Sequence, residues 1–119
     1  MDFSSAFNTI LPGKLLPKLR TLGVDDRLYC WVHDFLLERP QSVKIGEKVS
    51  KTLTLNVGAP QGCVLSPMLF SLFTNDNKSY EPSVTMLKFS DDTTLCGMIT
   101  QDDESAYRRE VERLVSWCN

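Results

Sequence analysis

Apolar residues recur at steps of three and four over residues 11–22, the spacing of one helix face. Pro12 suits the first turn of this helix, and Gly23 suits its end. Asp25 can then cap a second amphipathic helix, which Pro40 would stop. The sequence therefore predicts two helices joined by a short turn. The predicted inner faces are Leu11, Leu15, Leu16, Leu19 and Leu22 in the first helix and Leu28, Trp31, Val32, Phe35 and Leu36 in the second.

The hydrophobic pattern then changes to a β type. Residues 42–46 and 51–57 are rich in Val, Ile, Leu and Thr and flank a Gly-containing turn, so they predict a β-hairpin. The run of residues 58–62 contains Gly and Pro and cannot be regular, and it opens onto a helix predicted at about residues 66–75. The predicted inner face of that helix is Met68, Leu69, Leu72 and Phe73.

A second pair of β-type runs spans residues 84–90 and 93–98, with Asp91 and Asp92 between them. Thr100 with Asp103 resembles a capping box for a last helix. Together these elements predict a single α+β unit, in which a small antiparallel sheet is backed by helices. The predicted apolar stripe of the last helix is Tyr107, Val111, Leu114, Val115 and Cys118.

Composition narrows the class of protein. With 119 residues, 42% of them apolar and 24% charged, the chain is typical of one folded globular domain. No run approaches the ~18 apolar residues of a membrane span, and MDFSSAFNTI at the N-terminus lacks the features of a signal peptide. We therefore expect an intracellular protein, nuclear or cytoplasmic, with no membrane partner. A freestanding nucleic-acid-binding protein usually carries a basic surplus, whereas this chain has a net charge of −2.

The cysteines do not indicate a metal site. Cys30, Cys63, Cys96 and Cys118 form no C-x-x-C pair, and His33 is the single histidine. A structural zinc site requires paired ligands at short spacing, and a disulfide framework is unusual without a secretory signal. The sequence therefore predicts buried free thiols.

The adjacent carboxylates Asp91 and Asp92 are the first candidate for chemistry. Two neighbouring anions repel each other, and a divalent cation would relieve that repulsion, since Mg²⁺ prefers carboxylate oxygen. Taken alone, the dipeptide is more typical of a solvated hairpin turn than of a metal site.

Two further segments stand out. Residues 58–67, GAPQGCVLSP, hold two glycines and two prolines around Gln61, whose side chain can both donate to and accept from a base or sugar edge. Residues 2–7, DFSSAF, place a carboxylate five residues before an aromatic ring. Alone, the first segment could be a structural turn and the second a frayed terminus.

In order along the chain, Asp-x-x-x-x-Phe, a Pro-Gln-Gly loop and Phe-x-Asp-Asp on a hairpin resemble motifs A, B and C of a reverse transcriptase palm. The resemblance is closest to the LINE-type (non-LTR) retrotransposon enzymes and covers essentially all 119 residues. The runs that carry it are DFSSAFNTI at residues 2–10, KL-x-x-LGV at 18–24, FL-x-x-RPQ-x-V at 35–43, GAPQGCVLSP at 58–67, FSDDTT at 89–94 and DESAYR-x-EV-x-x-L-x-x-WC at 103–118.

The resemblance implies a fold, a reaction and its metal ligands. It implies a reverse transcriptase palm-like α+β fold and RNA-directed DNA synthesis, in which deoxynucleotides are added to a primer 3′ end. Asp2 and Asp91, assisted by Asp92, would hold two Mg²⁺ or Mn²⁺ ions. The implied partners are an RNA template, a DNA primer and a deoxynucleoside triphosphate.

The resemblance also implies nucleotide and template contacts. Phe7 would lie beneath the incoming sugar and exclude a 2′-hydroxyl, while Gln61 and Gly62 would contact the nascent base pair. The carboxyls of Asp2 and Asp91 are predicted to converge, with the Gln61 loop open toward them. The residues expected to contact template or primer are Ala59, Pro60 and Phe89.

Departures from the family pattern bear on activity. Ser90 replaces the small residue, often Ala, before the Asp pair. The chain also reads as truncated at both ends, because one residue precedes Asp2 and the fingers and thumb segments are absent. We therefore expect residues 1–119 to form a partial palm domain that is inactive by itself.

Two non-catalytic alternatives stay open. The chain could be a domesticated palm remnant that acts as a protein or nucleic-acid interaction module, or a relic without function. Apolar surface that once met fingers and thumb would then be exposed, which predicts self-association.

Overall fold

The computed structural model describes residues 5–118, which fall into two compact units, residues 5–73 and residues 74–118. Both units mix helices with small antiparallel sheets, which confirms the α+β expectation over the described residues. The first unit contains a 3-10 turn at Ala6–Thr9, helices α1 (Pro12–Thr21), α2 (Asp26–Leu36) and α3 (Leu65–Phe73), and strands β1 (Arg39–Gln41), β2 (Lys44–Ile45), β3 (Lys48–Val49) and β4 (Leu53–Leu55). The second contains strands β5 (Val84–Phe89) and β6 (Asp92–Gly97) and helix α4 (Ser105–Cys118).

The predicted helical pair is confirmed. Pro12 occupies the start of α1, and the Asp25 carboxylate caps α2 by accepting the Arg27 N–H at 2.9 Å. The middle of the predicted α1 stripe is buried, but its two end residues, Leu11 and Leu22, are exposed. On α2 the predicted stripe is also too wide, because Trp31 remains 49% exposed. A helix pair covers one side of each helix, so positions at the stripe's edge stay in solvent.

The predicted first hairpin is longer than expected and is divided. β1 pairs with β4, and β2 pairs with β3 around a turn at Gly46 and Glu47. α2 ends at Leu36 and not at the predicted Pro40, because Leu37 is already extended, with a φ of −103° and a ψ of 154°, and Pro40 lies in a strand opposite Thr54. A proline is tolerated there because each strand of a two-stranded sheet has a free edge.

Helix α3 buries part of the predicted face, since Leu69 is buried and Leu72 and Phe73 are half-buried. Met68 was predicted inside but is 51% exposed, whereas Phe70 is buried with Leu69. The buried positions Ser66, Leu69 and Phe70 follow one helical stripe. The segment is apolar on nearly every side, so periodicity cannot identify the face that packs on α1 and the 3-10 turn.

In the second unit, α4 packs on the β5–β6 hairpin. A Cβ added at Gly97 would lie 2.8 Å from the Tyr107 ring, so the glycine permits this close packing. The predicted cap is shifted, since the Asp103 carboxylate accepts the Ser105 N–H at 2.9 Å. Leu114 is buried as predicted, but Val115 and Cys118 are exposed.

The described chain has free cysteines, as expected, but their burial was predicted wrongly. Cys30, Cys96 and Cys118 are exposed, and Cys63 is half-buried. Cys30 precedes the buried positions of α2, Val32 and Leu36, and Cys96 lies on the outward face of β6, so each faces solvent. Among residues 5–118, no helix combines the length and the apolar character needed to cross a membrane.

Helix α4 contains a buried acid, Glu110, that was not predicted from the sequence. Glu110 is 2% exposed and accepts the Arg113 Nε–H at 2.6 Å and the Tyr80 N–H at 3.4 Å. Arg113 in turn donates to the Lys78 carbonyl and lies over the Tyr80 ring at 4.8 Å. This pair therefore ties the segment before β5 to helix α4.

Glu110 makes the stability of the second unit pH-dependent. Burial by itself raises the pKa of Glu110, but hydrogen bonds from Arg113 and Tyr80 and the Arg113 charge outweigh it and hold the pKa below its ordinary value. A carboxyl whose folded pKa is depressed stabilises the fold above its unfolded pKa and ceases to do so as the pH falls. We expect the thermal midpoint to drop below about pH 4, and Glu110→Gln to flatten this dependence.

At pH 7 the Glu110→Gln variant should be less stable by about 2 kcal/mol, because Arg113 loses a charged acceptor. Glu112→Gln, an exposed position on the same helix, is the matched control and should retain the wild-type pH profile. Identical profiles for the two variants would show that Glu110 does not carry this dependence.

Candidate active site

The loop that follows β4 is held against the 3-10 turn at Ala6–Thr9 and the residue after it. The Gly58 N–H donates to the Ile10 carbonyl and the Ala59 N–H donates to the Phe7 carbonyl, both at 2.7 Å. Gly58 has a φ of +74°, and a Cβ there would lie 3.0 Å from the Asn8 Cα. Only glycine combines this backbone conformation with so close an approach.

The rest of the loop leads from this contact to helix α3. Gln61 is exposed, and its Nε2 lies 3.4 Å from the Asn8 Oδ1 as a long hydrogen bond. Gly62 is also exposed and has a φ of +76° with open space around it. The buried Ser66 hydroxyl donates to the Pro60 carbonyl, which ties the loop to the first turn of α3.

Phe7 is oriented by the core. Its half-buried ring meets the buried Phe70 ring edge to face, with centroids 6.1 Å apart. Its backbone carbonyl is the acceptor for Ala59. The structure therefore brings together, within one unit, the predicted sugar-contacting residue and the predicted loop residues Ala59, Pro60, Gln61 and Gly62.

An open groove of about 880 Å³ extends the candidate site beyond the residues that the sequence predicted. Ala59, Pro60 and Gln61 form one wall. Three side-chain amides and one guanidinium give it hydrogen-bonding groups of both kinds. Its other lining residues are Asn8, Asp34, Phe35, Arg39, Pro40, Gln41, Leu55 and Val57. Among these, Phe35, Arg39, Pro40 and Gln41 belong to the FL-x-x-RPQ-x-V run and Asn8 to the DFSSAFNTI run, which are the sequence signals that could have pointed to them.

The predicted carboxylate pair lies at the tip of the β5–β6 hairpin, in the second unit. The loop is Ser90 and Asp91, and Asp92 pairs with Phe89 in the first register position. Asp91 is half-buried, whereas Asp92 is exposed and Phe89 is 83% exposed. Ser90 adopts a φ of 53°, which a tight two-residue hairpin loop requires at one or both central positions.

The hairpin carries two of the three predicted metal ligands. Asp91 and Asp92 offer the carboxylate oxygens that Mg²⁺ prefers, so their chemistry fits the expected ions. Asp2, the third predicted ligand, lies outside the described residues. Within residues 5–118, no three His, Cys, Asp or Glu side chains gather to hold a metal ion. The convergence of Asp2, Asp91 and the Gln61 loop stays a prediction.

Comparison with known proteins defines the family. The family described as "Reverse transcriptase (RNA-dependent DNA polymerase)" matches residues 1–119. The chain therefore belongs to the reverse transcriptase family.

Individual relatives narrow this further. The chain is 31% identical over 102 residues to the "RNA-directed DNA polymerase from mobile element jockey" of Drosophila melanogaster, a match that covers 80% of the chain and 11% of the relative. It is 25% identical over 76 residues to the "Retrovirus-related Pol polyprotein from type-1 retrotransposable element R2" of Popillia japonica, covering 64% of the chain and 12% of the relative. These relatives confirm the resemblance to non-LTR retrotransposon enzymes.

The chain spans about a tenth of the length of these two relatives, 11% and 12%. No solved structure matches it significantly.

The contact at Gly58 yields a prediction with an internal control. Gly58→Ala places a methyl group against the Asn8 backbone at a φ of +74°, so we expect a loss of about 2–4 kcal/mol in the free energy of unfolding. Gly62→Ala has nearly the same φ but open space, so it should lose only about 1–2 kcal/mol. Urea unfolding of the two variants measures the difference. Equal losses would mean that the close approach has no energetic weight.

Proposed function

We propose that this chain carries palm motifs A, B and C of an RNA-directed DNA polymerase of the non-LTR retrotransposon type. The proposed reaction extends a DNA primer by one deoxynucleotide on an RNA template and releases pyrophosphate. The observation that carries the proposal is the Asp91–Asp92 pair at a hairpin tip in a chain of the reverse transcriptase family.

In this proposal the carboxylates of Asp2 and Asp91 hold two divalent ions, and Asp92 assists them. The bound ions would activate the primer 3′-hydroxyl and stabilise the leaving pyrophosphate. The tight loop at Ser90–Asp91 limits the movement of the carboxylate pair, which supports this role, since such catalysis depends on positioning and charge neutralisation.

The loop residues and Phe7 would select the nucleotide. Phe7 would lie beneath the deoxyribose, and its edge-to-face contact with Phe70 would keep the ring in place. Gln61 and Gly62 would contact the nascent base pair, while Ala59, Pro60 and Phe89 would contact template or primer. Two features support this assignment. The exposed Gln61 amide can contact a ligand, and the adjoining groove can accommodate one.

One observation favours a second candidate, a non-catalytic interaction module. The first hairpin exposes a group of large apolar side chains, and Ile45 is 76% exposed. Such surface in a soluble domain often meets a partner. The group is Val43, Ile45, Val49 and Leu53.

Metal binding separates the two candidates. Millimolar Mg²⁺ or Mn²⁺ should raise the thermal midpoint of the chain by several degrees, since a ligand at ten times its Kd stabilises the native state by about 1.4 kcal/mol. Asp91→Asn should abolish this shift. Asp102→Asn, at an exposed carboxylate with a φ of 59° that asparagine tolerates, should leave it unchanged.

A midpoint that metal does not move, or that moves equally in Asp91→Asn, would contradict the polymerase proposal for this chain. Concentration-dependent self-association in the same samples would then support the interaction module.

Sugar selection tests Phe7 in primer extension by a polymerase that contains this segment. Phe7→Val should raise ribonucleotide use relative to deoxyribonucleotide use by ~10-fold or more, because a smaller side chain admits the 2′-hydroxyl. The control is Phe73→Val, which changes a half-buried phenylalanine of the same unit. A ratio of the two substrates is insensitive to a general folding defect. An unchanged ratio would reject the role of Phe7.

A further inference from the structure

Arg39 makes several hydrogen bonds to backbone carbonyls that the proposed reaction does not itself require. Its Nε donates to the Leu36 carbonyl at 3.2 Å, at the end of α2. Its Nη2 donates to the carbonyls of Val57 at 2.8 Å and Gly58 at 3.0 Å. One side chain therefore connects the end of α2 to the start of the Gly58 loop.

The same two peptide groups are bonded on their other edge as well. The peptide between Val57 and Gly58 has its C=O on Arg39 and its N–H on the Ile10 carbonyl. The next peptide has its C=O on Arg39 and its N–H on the Phe7 carbonyl. In a trans peptide the C=O and N–H point in opposite directions, so Arg39 on one side and the carbonyls of Phe7 and Ile10 on the other hold the loop.

The chemistry of this contact favours arginine over lysine. The planar guanidinium carries several donors in a fixed arrangement and can bond three carbonyl oxygens at once, whereas an ammonium is a compact point charge on a flexible stem. A second bond, from the Glu38 N–H to the Asn56 Oδ1 at 2.8 Å, joins the same two segments. The side chains of Arg39 and Asn56 therefore both connect the segment after α2 to the segment that leads into the Gly58 loop.

We propose that Arg39 is a positioning residue that sets the distance between the Gln61 loop and Phe7, and through it the affinity for the incoming deoxynucleotide. The inference rests on the proposed function, because Phe7 and Gln61 are the nucleotide contacts only there. Without Arg39 each of the two peptides keeps only its N–H bond, and the loop can move away from the 3-10 turn.

Amide hydrogen exchange of the 119-residue chain tests the contact directly. Arg39→Met should speed exchange of the Gly58 and Ala59 amides at least tenfold and leave the amides of α1 unchanged. Arg39→Lys should give an intermediate rate. Arg27→Met is the matched control, because Arg27 is an exposed arginine of the same unit in the first turn of α2, and its replacement should change neither set.

Two exchange results would overturn the inference. One is wild-type exchange at Gly58 and Ala59 in Arg39→Met. The other is equal acceleration in the loop and in α1, which would mean that Arg39 stabilises the whole unit and does not position the loop.

Titration with dTTP and Mg²⁺, followed by NMR at the Gln61 side-chain amide, tests the link to the nucleotide. Arg39→Met should weaken binding at least fivefold, with Arg39→Lys between it and the wild type. Wild-type affinity in Arg39→Met would overturn the link to nucleotide binding. Absence of binding by the wild-type chain would contradict the proposed function, while the exchange rates would still decide whether Arg39 holds the loop.

Discussion

The close approach of Gly58 to the backbone of Phe7 and Asn8 is the constraint on which the first unit's candidate site depends. Two consecutive amides of the loop bond the carbonyls of Ile10 and Phe7, at a distance that a side chain at residue 58 would prevent. This contact places segments about fifty residues apart in sequence side by side. It therefore holds Phe7 and the Pro-Gln-Gly loop beside each other within the first unit.

In the second unit, a short hairpin loop positions the candidate site residues. A two-residue loop fixes Asp91 and Asp92 at a hairpin tip, and α4 backs the strands that carry them. Glu110 and Arg113 then join α4 to the segment before β5. The half-buried Asp91 and the exposed Asp92 are therefore carried by a hairpin that packs on α4, and the buried Glu110 ties α4 to the segment that leads into β5.

Local signals were enough to predict most elements. The Asp25 cap, the Pro12 start and the Asp-Asp hairpin each act over a few residues, so the sequence shows them directly. Which face of α3 is buried was not predictable, because an apolar helix gives no phase and tertiary packing decides. The partners of Glu110 and Arg39 were equally hidden. Glu110 forms an ion pair with Arg113 whose burial is seen only in the structure. Arg39 bonds backbone carbonyls 18 and 19 residues away, and backbone carbonyls have no sequence signature.

We propose that the carboxylates of Asp2, Asp91 and Asp92 form the metal site of a reverse transcriptase. Paramagnetic broadening by substoichiometric Mn²⁺, measured by NMR on the whole chain, tests this proposal most directly. We expect the signals of Ser90, Asp91 and Asp92 to broaden first, together with those of Asp2. Broadening that begins at other acidic surface positions such as Glu104 or Glu112, or that spreads evenly over the acidic side chains, would contradict it.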